Sequence, residues 1–168
     1  MNTVETLRDL FRHMEWADAI VWQAVFASPS ASGDEVLKGR LHHSHMVQRA
    51  FLNVWRGVPH TRNAGEDFNL PELAQWAREN HVLASEYVNK LTEPALDQPM
   101  QVPWAGFLTK SLGHEPAVPS LGETVLQVAA HSTYHRGQIN TRLRELGTEP
   151  PLTDFIAWIW FGKPPAEW

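Results

Sequence analysis

His131 and His135 stand four residues apart in the stretch His131-Ser132-Thr133-Tyr134-His135-Arg136-Gly137-Gln138. On a helix, positions i and i+4 share a face, with Cβ atoms about 5–6 Å apart. Two imidazoles so placed can hold one metal ion, because ring nitrogens bind zinc-like ions at about 2.0–2.1 Å. The flanking residues say which way that face points. Val125, Val128, Ser132, His135, Ile139, Leu143 and Leu146 recur at spacings of three and four, so His135 lies on a stripe that faces a core, with His131 beside it. Inward imidazoles need a ligand or a hydrogen bond in place of water. They are therefore either metal ligands or core histidines satisfied by backbone and hydroxyl partners.

A third donor is available upstream, in Leu41-His42-His43-Ser44-His45-Met46-Val47-Gln48. An antiparallel helix carrying this segment can set one histidine opposite His131 and His135. His43, Val47, Ala50 and Val54 form one helical stripe, and Leu41, His45, Gln48, Leu52 and Trp55 form another. Pattern alone leaves His43 and His45 both open.

Four long helical segments must position these residues. The first runs from about Thr3 to Ala27 and stops near Ser28-Pro29-Ser30. The second is expected to open on the capping box Ser32-Gly33-Asp34-Glu35 and run to Trp55-Arg56. The third starts at Asn69-Leu70-Pro71-Glu72 and continues to about Leu91, with Asn as its cap. The fourth opens on a second capping box, Ser120-Leu121-Gly122-Glu123, and ends at Gly147. Five prolines between Thr92 and Pro119 exclude a continuous helix there. That segment is expected to pack over one end of the bundle, with a lid over the metal site as the functional alternative. A short aromatic helix, Asp154 to Trp160, follows Pro150-Pro151. The pattern predicts an all-α fold, a single-domain four-helix bundle with one long crossover connection and a short C-terminal helix, in which facing helices build metal sites.

Composition sets further bounds. The 168 residues are 43% hydrophobic and 20% charged, a globular balance. A net charge of −5 argues against nucleic-acid binding, which needs Lys and Arg against phosphates. No apolar run approaches the roughly 20 residues that cross a bilayer. The N-terminus lacks a secretory pattern, so a cytoplasmic protein is expected. There is no cysteine, so a metal must be held by His, Asp, Glu and water, and any reacting thiol must arrive with a substrate.

The element His131-x-x-x-His135-Arg136-Gly137-Gln138, followed by Leu143-Arg144-Glu145-Leu146-Gly147, Pro150-Pro151 and Asp154, resembles the signature of the DinB/YfiT-like metal-binding four-helix bundles. Trp16-Ala17-Asp18 in the first helix resembles that family's opening element, and together the motifs span essentially the whole chain. The resemblance implies a metal site of one histidine from the second helix and two from the fourth. Counting back fourteen residues from Gly57, it selects His43, with His131 and His135, and Phe51 as the accompanying aromatic. Gln48 occupies a position the family fills with an acidic residue, and His13 one where many relatives carry Tyr. Members of that family are similar to thiol-dependent transferases and isomerases that use low-molecular-weight thiols. The implied function is a metal-dependent enzyme activating a low-molecular-weight thiol or water, and the alternative is a non-catalytic metal-binding bundle with a structural, sensing or storage role. The expected ion is zinc or nickel, with iron or manganese as further options, and no catalytic residue is assigned.

The remaining candidates carry plainer expectations. Tyr134 is read as a packing or interface residue, and Arg136 as pointing outward toward an acidic partner. His42 and His45 are read as surface or supporting residues, and His60, His81 and His114 as loop or exposed positions. Trp104 is a candidate pocket wall. The C-terminal rings of Trp158, Trp160 and Trp168, with the broad face of the first helix, suggest a homodimer.

Overall fold

The computed structural model describes residues 3–59 and 64–168; His60 lies outside the described residues. The order of elements is α1 (Thr3–Ala27), α2 (Pro29–Ser32), α3 (Glu35–Trp55), α4 (Leu70–Asn89), α5 (Glu93–Leu96), a 3-10 turn (Ala105–Leu108), α6 (Thr109–Leu112), α7 (Leu121–Glu145) and α8 (Phe155–Trp160). There is no strand among the described residues, and the fold is an all-α bundle. None of the described helices is long and apolar enough to cross a membrane.

Each long helix buries a stripe. On α1 it reads Val4, Leu7, Phe11, Met14, Asp18, Val21, Val25, and on α3 Leu37, Leu41, His45, Gln48, Leu52, Trp55. These spacings of three and four place one residue per turn against the partners. α1 packs between α4 and α7, and α3 between the same two helices, so α1 and α3 face each other across the core. One apolar cluster joins the N-terminal half of α1 to the C-terminal halves of α3 and α4 and the N-terminal half of α7. A second joins the opposite halves. α1 and α7 therefore run one way and α3 and α4 the other.

Local signals set the helix ends. Asn69 with Glu72 and Ser120 with Glu123 form reciprocal capping boxes that open α4 and α7. The box expected at Ser32 and Glu35 does not form. Ser32 ends α2, and its hydroxyl donates to the Val25 carbonyl at 2.8 Å. Asp34 caps α3 instead, accepting the Leu37 amide at 2.7 Å. It prevails because its carboxylate also accepts two bonds from the Arg142 guanidinium on α7, at 3.0 and 2.7 Å, and so ties two helices at once.

The connection from α5 to α7 leaves and re-enters at the same end of the bundle. Its ends are pinned together by Met100 N–H to Pro119 O at 2.8 Å and Leu121 N–H to Gln98 O at 2.7 Å. Met100, Val102 and Trp104 pack on the first apolar cluster. At the C-terminus, Trp158 is buried with Trp16 and Ala17 and donates its indole N–H to Pro164 O. Trp168 packs near the His81 ring. Of the three C-terminal tryptophans, Trp160 alone stands in solvent, at 76% exposure.

Because Asp34 does the capping, Asp34→Ala should destabilise the protein by about 1–2 kcal/mol in urea denaturation, and Ser32→Ala by less than half of that. Equal losses would return the cap to Ser32.

Candidate metal centre

α3 packs along α7, and this seam brings His43, His131 and His135 together. The ring centroids of His131 and His135 lie 4.3 Å apart, and those of His43 and His135 4.6 Å. One ring nitrogen from each of the three lies within 4.8 Å of the others. The Nε2 atoms of His131 and His135 are 2.9 Å apart. Two nitrogens bound to one ion at about 2.0–2.1 Å, at ordinary angles, sit about 2.9–3.4 Å from each other, so this pair already has the spacing of a shared ion. His135 is buried, His131 half-buried and His43 exposed, and the cluster therefore opens to solvent on the α3 side.

The protonation pattern suits a metal. Gln138 Oε1 only accepts, so the 2.9 Å contact makes His135 Nδ1 the protonated nitrogen. The Nε2 facing His131 then carries the lone pair, the arrangement by which an outer hydrogen bond fixes a ligand's tautomer. Burial pushes the His131 and His43 imidazoles below the ordinary histidine value, and each is lowered further by its neighbouring histidines. Both are neutral donors at neutral pH. The set holds three imidazoles and no carboxylate, which fits a borderline ion such as zinc or nickel. Tyr134 is 62% exposed, with its ring edge-on to His135 at 5.2 Å, so it lies beside the histidines rather than in the core.

A second group, Asp18, His45 and His81, lies buried at mid-bundle. Asp18 Oδ1 accepts from Arg136 at 2.6 Å, and Oδ2 accepts from Gln48 at 2.9 Å and from His81 at 3.0 Å. Gln48 also donates to Ser132 and accepts from His45 Nδ1, while Trp22 donates its indole N–H to His45 Nε2. Both nitrogens of His45 are engaged, and Asp18 is already neutralised by a guanidinium. A cation here would have to displace Trp22 and oppose Arg136, so this cluster does not fit a metal.

This network corrects several sequence expectations. His45 is 2% exposed and belongs to the network, which leaves His43 as the α3 histidine at the seam. His81 is buried at 3% and bonded to Asp18, not exposed. Arg136 does pair with an acidic residue, but it points inward to do so. Gln48 is understandable there, because a carboxylate would sit against Asp18, whereas the amide donates to it. His13 is buried too, with Nε2 2.9 Å from Thr153 O and its ring edge-on to Phe155. His42 stacks on Trp76 and contacts Ala64 O, and His114 is exposed.

Trp104 is a cavity wall, as the sequence suggested. With Pro103 and Phe107 it faces Met46, Val47, Ala50 and Phe51 of α3 across a cavity of about 590 Å³.

Comparison with known families matches residues 1–165 to the DinB family, and the chain belongs to that metal-binding family. No curated protein matches it.

Removing the exposed donor tests the assignment of ligands. His43→Ala should weaken metal binding by more than about a hundredfold in a chelator competition, against less than about threefold for His42→Ala. Equal losses would dissolve the triad. The buried histidines set a pH dependence. Burial lowers His45 to about 4 and holds His13 below its ordinary value, so the native state refuses protons that the unfolded chain takes up below about pH 6.5. Stability is then lost as pH falls from 6.5 to about 4, on the order of 3 kcal/mol from His45 alone. Burial raises Asp18, but Arg136 and the His81 hydrogen bond outweigh that and hold it far below the carboxylate range, so its own contribution fades only below about pH 4. Urea midpoints in the presence of a chelator should therefore fall between pH 6.5 and 4. A flat profile would contradict neutral burial of these rings.

Proposed function

We propose that this chain is a metal-dependent enzyme whose His43, His131 and His135 hold one divalent transition metal ion, zinc or nickel foremost, and whose co-reactant is a low-molecular-weight thiol or water. When bound, such an ion supplies the acidity that makes a water or a small thiol a nucleophile at neutral pH. The observation that carries the reading is the partly exposed triad of imidazoles with no fourth His, Asp or Glu grouped with it among the described residues. A purely structural site is normally closed by a fourth protein ligand.

The chain's own residues do the positioning. Gln138 holds the His135 ring and its tautomer. His43, on the solvent side, leaves an approach open along α3. The chain contains no cysteine, so the thiol enters with a substrate and does not compete with a protein sulfur. The reading sets this chemistry in the cytoplasm, where thiols are kept reduced. It also retains a two-fold dimer, supported by the exposed Ile156, Trp160 and Phe161 at α8.

Cobalt substitution followed by titration with glutathione or cysteine tests the proposal. A sulfur-to-metal charge-transfer band should appear, saturate with thiol and vanish in His135→Ala. A cobalt spectrum that no thiol or anion perturbs would favour a non-catalytic metal-binding bundle.

A further inference from the structure

The cavity beside α3 is not needed to hold the metal, yet it shares a face with one of the proposed ligands. His43, Met46, Val47 and Ala50 fall at i, i+3, i+4 and i+7, a single helical stripe. At about 1.5 Å per residue, the far wall at Ala50 lies about 10 Å along the axis from His43. We propose that this cavity binds the uncharged, apolar body of the substrate, so that the substrate is a neutral alkyl or aromatic compound whose reactive group reaches the histidine triad. This rests on the metal reading above for the reactive end only.

Size, chemistry and shape support it. A volume of about 590 Å³ lies within the range of small-molecule sites, about 300–1,000 Å³. The side chains that line it are aliphatic, aromatic, thioether and proline, with no charged group. A carboxylate or phosphate body would be desolvated there without a cation, at a cost that an alkyl or aryl body avoids. The far wall is built rather than incidental. Trp104 meets Phe51 edge-to-face at 5.0 Å, on a connection pinned at both ends by backbone hydrogen bonds. Phe107, 72% exposed, stands on the same lining. Met46 adds a flexible, polarizable surface that adapts to differently shaped guests. The space is a concave cleft between two elements, which suits a small molecule better than a protein surface.

Two titrations test the cavity and the metal separately. The first uses N-phenyl-1-naphthylamine, a neutral fluorescent probe with no strong metal-binding group. It should bind wild type and His131→Ala alike, and about tenfold more weakly to both Val47→Asp and Phe107→Ala. Phe107 is exposed, so its truncation leaves the fold intact even if Val47→Asp proves unstable. The second uses alkyl hydroxamates from acetyl to octanoyl on the cobalt-loaded protein. Each added methylene should tighten binding about fourfold until the cavity is filled, in line with about 0.8 kcal/mol per buried CH₂. Chains ending in a carboxylate should gain nothing.

A probe that fails to bind, or binds unchanged in both variants, would overturn the proposal, and so would binding that tracks dimer concentration, which would assign the surface to a second copy. If acetohydroxamate perturbs cobalt and longer chains bind no better, the cavity assignment falls while the metal reading stands. Probe binding with no hydroxamate response at all would support the apolar cavity and count against the metal reading alone.

Discussion

A carboxylate and a guanidinium, Asp18 on α1 and Arg136 on α7, are buried at 6% and 3% exposure between two apolar clusters. Such a pair contributes little net stability, because desolvating the two charges offsets most of their attraction. Breaking it is another matter, since either charge left alone in the interior costs several kcal/mol. Any packing of α1 on α7 that separates them is therefore disfavoured. Gln48 and His45 from α3, His81 from α4 and Ser132 from α7 complete the network, so all four long helices are held in register at one level.

That register places the three seam histidines. Arg136 turns inward toward α1, and His135, the preceding residue and about 100° round the helix, turns toward α3. Ser132 meets Gln48 inside the bundle while its neighbour His131 lies at the half-buried seam. On α3, His45 points into the network and His43, two residues earlier, lies on the opposite side with the triad. One polar layer thus separates two sets of histidines. The inner set has its nitrogens engaged within the protein. The outer set has ring nitrogens turned toward one another.

Much of this was legible in the sequence. The i, i+4 pair and the helix boundaries followed from periodicity and capping chemistry, while the choice of His43 needed the family resemblance. The polar layer was missed, although a signal for it exists. Asp18 falls on the core stripe of α1 between Met14 and Val21, Gln48 on that of α3 between His45 and Leu52, and His81 on that of α4 between Ala77 and Ala84. Each reads singly as a polar residue near a boundary. Only the pairing of helices, a long-range property, shows that these interruptions meet at one height. Ser32 was misassigned for a similar reason. The local capping-box pattern pointed to Ser32, whereas a distant residue, Arg142, holds Asp34 in place as the cap.

The most direct measurement is an anomalous diffraction map at the absorption edge of the metal in crystals of the loaded protein. One strong peak per chain should lie among the imidazole nitrogens of His43, His131 and His135, with density for non-protein ligands beside it. A peak at Asp18, His45 and His81, a site closed by a further protein side chain, or no peak after loading would contradict an open three-histidine centre.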